Sequence, residues 1–218
     1  MNLDPGLRLD VAGRLRDARG RRFDAATRGW YDAGPSSPAD AVPATDPSLS
    51  LADAVRWLQT ASDHPLRVPI GVIGPRDADP EQLAAAHAIG LGLGTMRLAV
   101  VCGGRHGVMQ SVAEGVAAAG GVSIGLLPDA TPDSANPSLT YVIATGLGEA
   151  RNAIIARSAF CLVAIGDSFG TLSEVALGRQ FGKAVFGLAG AARVEGVVHC
   201  ADTRLALAAV AAKVLALD

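Results

Sequence analysis

Phe160-Cys161-Leu162-Val163-Ala164-Ile165 is an apolar run, and Gly166-Asp167-Ser168-Phe169-Gly170-Thr171-Leu172-Ser173-Glu174 follows it directly. This order predicts a buried strand, a glycine-bearing turn and a helix. The first backbone N–H groups of a helix lack partners within it and the helix dipole is positive there, so the turn is suited to bind an anion, phosphate above all. Glu174 falls about one turn into the helix. The stretch therefore predicts a phosphate-binding pocket that contains one carboxylate.

The same strand-then-helix order recurs from Val68 onward. Apolar runs predict strands at 68–73, 97–102, 122–127, 140–144, 160–165, 184–188 and 197–200, and the segments between and after them predict helices at 79–94, 107–119, 148–158, 171–181 and 203–216. Because the strands are apolar throughout, we expect helices to cover both faces of their sheet. We predict an α/β fold with a doubly wound, Rossmann-like parallel sheet flanked by helices over residues 67–218.

Residues 1–66 are predicted to form a separate N-terminal extension. Alternating residues over 7–11, followed by Gly13, indicate a hairpin whose second arm reaches Phe23. A proline-rich stretch at 33–48 predicts an irregular linker, and a short capped helix is expected over 51–61, with Ser50 as its N-cap and Asp53 completing a capping box. The arginines of the hairpin form either a basic patch or, as we prefer, a solvated strand face diluted by aspartates.

Composition narrows the class of protein. Half of the 218 residues are hydrophobic, only 4% are aromatic, and the net charge of −2 gives no reason to expect a nucleic acid or a membrane surface as partner. The chain has no apolar run of bilayer length and no signal-peptide pattern, so a cytoplasmic protein is expected. Its three cysteines are interpreted as buried hydrophobes, and its four histidines lack a metal-ligand spacing, so no metal site is expected.

Four glycine-bearing loops follow predicted strands and should converge on one cleft, because ligands of open α/β sheets bind beyond the carboxyl ends of the strands. These loops are Gly74–Asp77, Gly103–Gly107, Thr145–Asn152 and Gly166–Thr171. None has the dinucleotide fingerprint G-x-G-x-x-G. Residues 178–183 resemble a Walker A loop only superficially, because they are one residue short and lead into a strand. Neither NAD nor ATP bound in its usual loop is indicated.

The loops also resemble a known family. Ile70-Gly71-Val72-Ile73-Gly74, Val101-Cys102-Gly103-Gly104-Arg105-His106-Gly107-Val108-Met109, Ala135-Asn136-Pro137, Thr145-Gly146-Leu147-Gly148-Glu149-Ala150-Arg151-Asn152 and Gly170-Thr171-Leu172-Ser173-Glu174 occur in the order and at the spacing of the LOG-like proteins, long mislabelled "lysine decarboxylase-like". The similarity is greatest to the branch that contains molybdenum-cofactor carrier proteins. It covers about residues 68–190 and implies the Rossmann-like fold predicted above.

The resemblance implies two functions. LOG enzymes are phosphoribohydrolases that cut the N-glycosidic bond of nucleoside 5′-monophosphates, with a P-G-G-x-G-T-x-x-E loop and an arginine–lysine pair. Here Gly170, Thr171, Glu174 and Arg151 match that pattern, whereas Ile165 to Ser168 replace its proline and paired glycines and Asn152 replaces the lysine. If the chain is an enzyme, Glu174 and Arg151 would be catalytic: Glu174 would stabilise an oxocarbenium-like ribose or position water, and Arg151 would orient ribose or phosphate.

The departures favour a non-catalytic binding or carrier protein for a phosphorylated, nucleotide-like ligand. We expect no required cofactor; the bound ligand would be the molybdenum cofactor or a nucleotide. A homodimer or homotetramer is expected, and a scaffold with an empty pocket is a third hypothesis. The loops and the resemblance together assign the ligand site to the following residues: Gly74, Gly103, Gly104, Arg105, Gly107, Met109, Arg151, Asn152, Gly166, Ser168, Gly170, Thr171 and Glu174.

Several of these residues have a second interpretation. Asp167 and Ser168 are pocket residues or simply helix caps, and Glu174 is a pocket carboxylate or a first-turn glutamate favoured by the helix dipole. Arg105 and His106 either reach the anion or face solvent. A Ser168–His106–Asp167 triad has only the residue types in its favour, because no G-x-S-x-G nucleophile elbow is present.

Overall fold

The computed structural model describes residues 5–32 and 48–217. These residues form two compact units: the described residues up to 66 together with 208–217 make the first, and residues 67–207 make the second. The linker predicted at 33–48 lies almost wholly outside the described residues. Within the described chain, no helix is both long and apolar enough to cross a bilayer.

The first unit contains an antiparallel sheet in place of the single predicted hairpin. Its strands follow one another in chain order: β1 (Arg8–Leu9), β2 (Leu15–Arg16), β3 (Arg22–Asp24) and β4 (Gly29–Tyr31). A second turn interrupts the arm that was predicted to run to Phe23. Helix α1 (Leu51–Thr60) has the predicted N-cap, Ser50, whose side chain accepts a hydrogen bond from the Asp53 N–H. The predicted capping box is only half formed, because the Asp53 carboxylate accepts from the Ser50 hydroxyl in place of the Ser50 N–H.

The turns of this sheet repeat every seven residues, at Asp10, Asp17 and Asp24. The Asp10 carboxylate accepts hydrogen bonds from the N–H groups of Ala12 and Arg14, each at 3.0 Å, and the Arg14 guanidinium also donates to it at 3.0 Å. The Asp17 carboxylate accepts the equivalent bonds from the N–H groups of Arg19 and Arg21 and from the Arg21 guanidinium. An Asp-x-x-Gly-Arg repeat thus builds two successive turns, because the carboxylate holds both the turn's N–H groups and the arginine after it.

Arg16 contradicts the solvated strand face that we preferred. Only 6% of Arg16 is exposed, and its guanidinium donates to Asp10 Oδ2 at 2.9 Å. Burial acts to raise the pKa of Asp10, but hydrogen bonds from Arg14 and Arg16 outweigh it and hold that pKa below its usual value of 3.8. The ion pair of Asp10 with Arg16 is therefore part of the interior of this unit.

Replacing Asp10 with alanine is expected to cost this unit about 3 kcal/mol, because Arg16 stays buried while losing the carboxylate that neutralises it. Both tryptophans of the chain, Trp30 and Trp57, belong to this unit, so tryptophan fluorescence during urea unfolding measures its stability. Asp53→Ala, which removes an exposed partner of both Arg56 and the Ser50 hydroxyl, is the control and should cost only about 1 kcal/mol.

The pH dependence gives a further check on the Asp10 variant. Because the folded-state pKa of Asp10 is lowered, its stabilisation is complete above the unfolded value of 3.8 and is lost as the pH falls through the folded value. The difference between the wild type and Asp10→Ala should therefore shrink below pH 3.8. Equal small losses for Asp10→Ala and Asp53→Ala would contradict a buried ion pair.

The second unit contains a seven-stranded parallel sheet, and all seven predicted strands are present. The strands are β5 (Ile70–Ile73), β6 (Val100–Cys102), β7 (Ser123–Leu127), β8 (Tyr141–Ala144), β9 (Leu162–Ile165), β10 (Val185–Leu188) and β11 (Val197–His199). Their order across the sheet is β11-β10-β9-β5-β6-β7-β8, with every neighbouring pair parallel. The predicted doubly wound, Rossmann-like fold is confirmed.

The helices of this unit are close to the predicted ranges. They are α2 (Pro80–Thr95), α3 (Val108–Ala118), α4 (Asn152–Ser158) and α5 (Phe169–Gln180), and a last helix, α6 (Thr203–Val214), begins here. The helix predicted at 148–158 starts with a 3₁₀ turn, Gly148–Arg151, and becomes α-helical only from Asn152. Helix α5 starts two residues earlier than predicted, because Ser168 is its N-cap.

Strand β8 departs from the expectation that helices cover both faces of every strand. All four of its residues are exposed, and Tyr141 and Ile143 are 61% and 48% exposed. The cause lies in the connection from β7, which contains only the 3₁₀ turn Pro132–Ser134 and no α-helix. Strand β8 is therefore an uncovered apolar edge.

The order in which the chain visits the strands determines where a ligand cleft can form. From β5 the chain moves through β6 and β7 to β8 at one edge, then returns to β9 on the other side of β5 and continues to β10 and β11. Right-handed crossovers consequently put α2 and α3 on one face and α4 and α5 on the other. The loops after β5 and β9 diverge at this switch in strand order, which is where open α/β sheets form their ligand clefts.

Candidate functional site

A cavity of about 610 Å³ opens at this switch point. Residues from all four glycine-bearing loops line it, at the carboxyl ends of β5, β6 and β9 and at the start of α4. Of the residues predicted for the site, the lining includes Gly74, Gly103, Arg105, Met109, Arg151, Asn152, Ser168, Gly170, Thr171 and Glu174.

Gly104, Gly107 and Gly166 were also predicted for the site but do not line the cavity. Their φ values of +77°, +66° and +65° show a different requirement, because only glycine adopts this backbone conformation without strain. A Cβ atom on Gly107 would also lie 2.2 Å from the Arg76 carbonyl oxygen. These three glycines shape the loops around the cavity.

The N-terminus of α5 forms one wall. Ser168 Oγ accepts a hydrogen bond from the Thr171 N–H at 3.1 Å and lies 2.9 Å from Thr171 Oγ1, so Ser168 is both the helix cap and a lining residue. The N–H groups of Phe169 and Gly170 belong to the first turn, where the helix supplies no acceptor. A Cβ atom on Gly170 would meet nothing closer than Ser168 Oγ at 3.8 Å, so the space beside this first turn is open.

Asp167 precedes the cap and is exposed. It lines the main cavity and also a second one of about 450 Å³, beyond the end of β10, which Arg193, His199 and Cys200 line as well. An exposed carboxylate is solvated by water, so its repulsion of a bound anion is screened. Asp167 and Ser168 were expected to be either pocket residues or helix caps. Both line the cavity, and only Ser168 is the cap of α5.

Arg151 and Glu174 form the floor of the cavity and are both only 6% exposed. Arg151 Nη1 lies 3.8 Å from Glu174 Oε1 and donates a hydrogen bond to Asn152 Oδ1, and the Asn152 amide in turn donates to Ser173 Oγ at 2.8 Å. The packing of α4 against α5 brings these residues together. Arg151 Nε is buried and has no hydrogen-bond partner. A buried guanidinium thus lies in the lining of the cavity with its hydrogen-bonding capacity incompletely used.

Glu174 is mostly uncharged at neutral pH. Burial raises its pKa to about 8, the nearby Glu149 acts in the same direction, and Arg151 opposes them without outweighing the loss of solvation. A protonated carboxyl can donate a hydrogen bond to an anion beside it. The loss of solvation therefore favours the neutral form of Glu174 beside the charged Arg151.

The loop after β6 contributes a second arginine. Arg105 donates to both carboxylate oxygens of Asp129, at 2.8 and 2.7 Å, which fixes its side chain on the wall of the cavity. Its Nε is also buried without a hydrogen-bond partner. His106, by contrast, is exposed, contacts Gln110 and is absent from the lining. The Ser168–His106–Asp167 triad is therefore not assembled.

Besides Asp167, four charged or aromatic residues of the lining were not among the predicted site residues. Arg76, Asp77 and Glu149 lie in loops that were predicted to meet here, and Phe169 follows the helix cap directly. The available signal was their position inside the glycine-bearing loops. Among the described residues, no group of three or more histidine, cysteine, aspartate or glutamate side chains is arranged to hold a metal ion.

Fold and site together define a Rossmann-like α/β protein with a cleft at its topological switch point, lined by arginines and by the N-terminus of α5. A family model, the SLOG cluster4 family, matches residues 67–214, and the chain belongs to that family. The LOG-like resemblance predicted from the loops is thereby confirmed. In sequence, the chain is 35% identical over 128 residues to a protein of Archaeoglobus fulgidus named only as uncharacterized, which covers 59% of this chain and 84% of the relative.

Two solved structures agree with this family assignment. The molybdenum cofactor binding protein of Rippkaea orientalis matches with a TM-score of 0.64 and 31% identity over 66% of this chain and 96% of its own. The Moco carrier protein of Chlamydomonas reinhardtii matches with a TM-score of 0.62 and 36% identity over 70% of this chain and all of its own. The predicted likeness to the branch with molybdenum-cofactor carriers is confirmed.

Proposed function

We propose that this protein binds and carries a phosphorylated, nucleotide-like ligand in the cavity at the switch point. The observation that carries the proposal is the buried Arg151 guanidinium, which lines the same cavity as the first turn of α5. Burying a cation is unfavourable unless an anion compensates its charge. A phosphate group does so, because its oxygens accept hydrogen bonds from both the guanidinium and the helix N-terminus.

The residues of the cavity fit the phosphate end of such a ligand. The N–H groups of Phe169 and Gly170, together with the Arg151 guanidinium, would hold the phosphate, and neutral Glu174 would donate to it. The open space beside Gly170 allows the ligand to approach the backbone closely.

The named relatives indicate the molybdenum cofactor as the candidate ligand, since both solved neighbours are described as binding or carrying it. That cofactor contains a phosphorylated pterin, so it presents the anion and the flat ring that the cavity is suited to take. Its metal would supply redox chemistry in an acceptor enzyme. Among the described residues that line the cavity there is no cysteine or histidine, so this chain would hold the cofactor by its phosphate and ring.

A phosphoribohydrolase is the second candidate, favoured by the presence of Arg151 and Glu174 on the floor of one cavity. Stabilising an oxocarbenium-like ribose or activating water requires an ionised carboxylate. Burial raises the pKa of Glu174 to about 8, so most of the molecules lack that charge at pH 7. A nearby phosphate dianion would raise the pKa further. We therefore favour binding without hydrolysis.

One experiment tests both candidates. The purified protein is titrated with nucleoside 5′-monophosphates and with the corresponding nucleosides by calorimetry, and the same mixtures are then analysed chromatographically for free base. A carrier binds the monophosphates, rejects the nucleosides and releases no base. Base release that disappears in Glu174→Gln would establish the hydrolase. Binding of neither class would overturn the phosphate site. Molybdenum and pterin assayed in the protein as purified test the cofactor itself.

Gly170→Ala separates ligand binding from folding. A methyl group at Gly170 fits without a clash and favours the helix by up to about 1 kcal/mol, so the melting temperature should stay equal or rise. The same methyl group occupies the space that the phosphate needs, so the affinity for a nucleoside monophosphate should fall by about tenfold or more. Gly29→Ala, on β4 in the first unit, is the control with an equally tolerated methyl group. Unchanged affinity in Gly170→Ala would place the phosphate elsewhere.

We also propose that the chain forms a homodimer or homotetramer. The support is the uncovered strand β8 together with Leu147 and Ile154, which are 51% and 39% exposed, because exposed apolar edges of this kind are commonly covered by a partner. Light scattering of the wild type should give a multiple of the monomer mass. Ile143→Lys should shift the species toward monomer, and a wild-type protein that is monomeric at high concentration would refute the proposal.

A further inference from the structure

Phe169 is the most exposed large hydrophobic side chain described, at 95%. It is the first residue of α5, and it lines the cavity. The helix buries its other side through Thr171, Glu174, Val175 and Gly178, so Phe169 contributes nothing to the core. A phenyl ring left in water gains none of the free energy of burial that aromatic residues usually contribute. The ring is therefore available to contact a molecule bound in the cavity.

The geometry points to Phe169 as a stacking platform for the flat, heteroaromatic part of the ligand. The assignment rests on the proposed phosphate site. A phosphate held at the first turn of α5 would lie next to this side chain, because Phe169 and Gly170 supply the first-turn N–H groups. A ring system joined to that phosphate by a short sugar-like spacer would then reach the phenyl face.

The size and charge of the cavity agree with this assignment. Its volume of about 610 Å³ lies in the range of sites for whole small molecules and exceeds what a lone phosphate fills. Arg76 is exposed and lines the same cavity, so the lining also offers a guanidinium to an anionic ligand. The ligand class is therefore a phosphate ester carrying a purine- or pterin-like ring, and simple sugar phosphates would bind less tightly.

Calorimetric titrations of two probes test the role of Phe169. GMP carries the ring, and ribose 5-phosphate carries only the phosphate and sugar. The wild type should bind GMP at least about tenfold more tightly than ribose 5-phosphate, because stacking on an aromatic side chain has roughly that effect per base. Phe169→Ala should remove most of this preference and leave the affinity for ribose 5-phosphate unchanged. Phe169→Tyr should keep the preference, and Phe169→Leu should lose most of it.

Leu172→Ala is the matched control, since Leu172 is 38% exposed on the same helix but does not line the cavity. It should change neither affinity. Equal affinity of the wild type for the two probes, or equal weakening of both in Phe169→Ala, would overturn the stacking role while leaving the phosphate site intact. Binding of neither probe by the wild type would refute both. If Phe169→Ala instead changed the assembly in light scattering and not the GMP affinity, Phe169 would belong to a contact between copies of the chain.

Discussion

Glu174→Gln is expected to stabilise the protein at alkaline pH and to flatten the dependence of its stability on pH. In the folded chain the pKa of Glu174 is raised to about 8, against 4.5 for an exposed glutamate. Between these two values the folded state keeps a proton that the unfolded chain releases, so stability falls as the pH rises. The slope approaches about 1.4 kcal/mol per pH unit, and above pH 8 the whole penalty applies. Glutamine keeps the shape and the oxygen acceptor but cannot ionise.

Thermal and urea unfolding of the wild type and of Glu174→Gln, followed by circular dichroism from pH 5 to pH 9, measures this effect. The two proteins should be similar near pH 5 and should diverge by a few kcal/mol toward pH 9, on the order of the slope above. Glu149→Gln, a nearby exposed carboxylate whose charge raises the pKa of Glu174, is the control and should change the curve only slightly. Parallel pH profiles for the wild type and Glu174→Gln would mean that Glu174 is ionised in the folded state.

Arg151→Met is expected to weaken the binding of a nucleoside monophosphate by about 100-fold, because charge-assisted hydrogen bonds from a buried guanidinium contribute roughly 1.5 to 3 kcal/mol each. Methionine fills a similar volume, and Glu174 remains uncharged when its cationic neighbour is lost, so no buried charge is left behind. The measurement is the dissociation constant by calorimetry at two salt concentrations.

Arg157→Met removes one positive charge from α4, the helix that follows Arg151 directly, and serves as the control. Arg157 is exposed and lies over the Phe181 ring at 3.6 Å, outside the lining of the cavity. Its loss should change the affinity by less than about threefold, as expected for a screened charge. Similar losses in the two variants would show that the anion responds to the overall charge of the unit and does not contact Arg151.

The local sequence of the loops in the second unit was sufficient to predict where the site lies. An apolar run that ends at a glycine and is followed by a capping residue specifies a strand, a turn and a helix without any tertiary information. Since the carboxyl ends of parallel strands share one edge, the four loops could be expected to meet. The sequence could not separate Gly170, beside open space, from Gly104, Gly107 and Gly166, whose φ values are positive, because every glycine looks the same in a sequence.

The state of the site residues was likewise inaccessible from the chain alone. Ser168 was equally compatible with a cap and with a pocket, and it is both. The raised pKa of Glu174 depends on how much solvent the folded chain removes from it and on its distance from Arg151. Neither quantity is encoded in the spacing of the two residues. Arg105 could not be assigned to the cavity or to solvent until its pairing with Asp129 was known.

In the first unit, the local pattern indicates turns and strands but not which arginine is buried. The Asp-x-x-Gly-Arg repeat is visible in the sequence, yet the alternating residues were assigned to one hairpin, and the arginines to solvent. Whether an arginine is solvated or buried depends on which strand lies next to it, and Arg16 is buried against Asp10 by the turn that joins β1 to β2.

The order and type of the elements of the second unit, its glycine-bearing loops and its family follow from the chain alone, because strand, turn and helix signals are local and depend on the period of apolar residues and on caps. The folded chain was needed to show that β8 is uncovered, that Phe169 lies outside the core, that Arg151 Nε has no partner, and that the pKa of Glu174 is raised. Exposure, hydrogen-bond completion and solvation are properties of residues that meet across the fold, so they arise only when the helices have packed on the sheet.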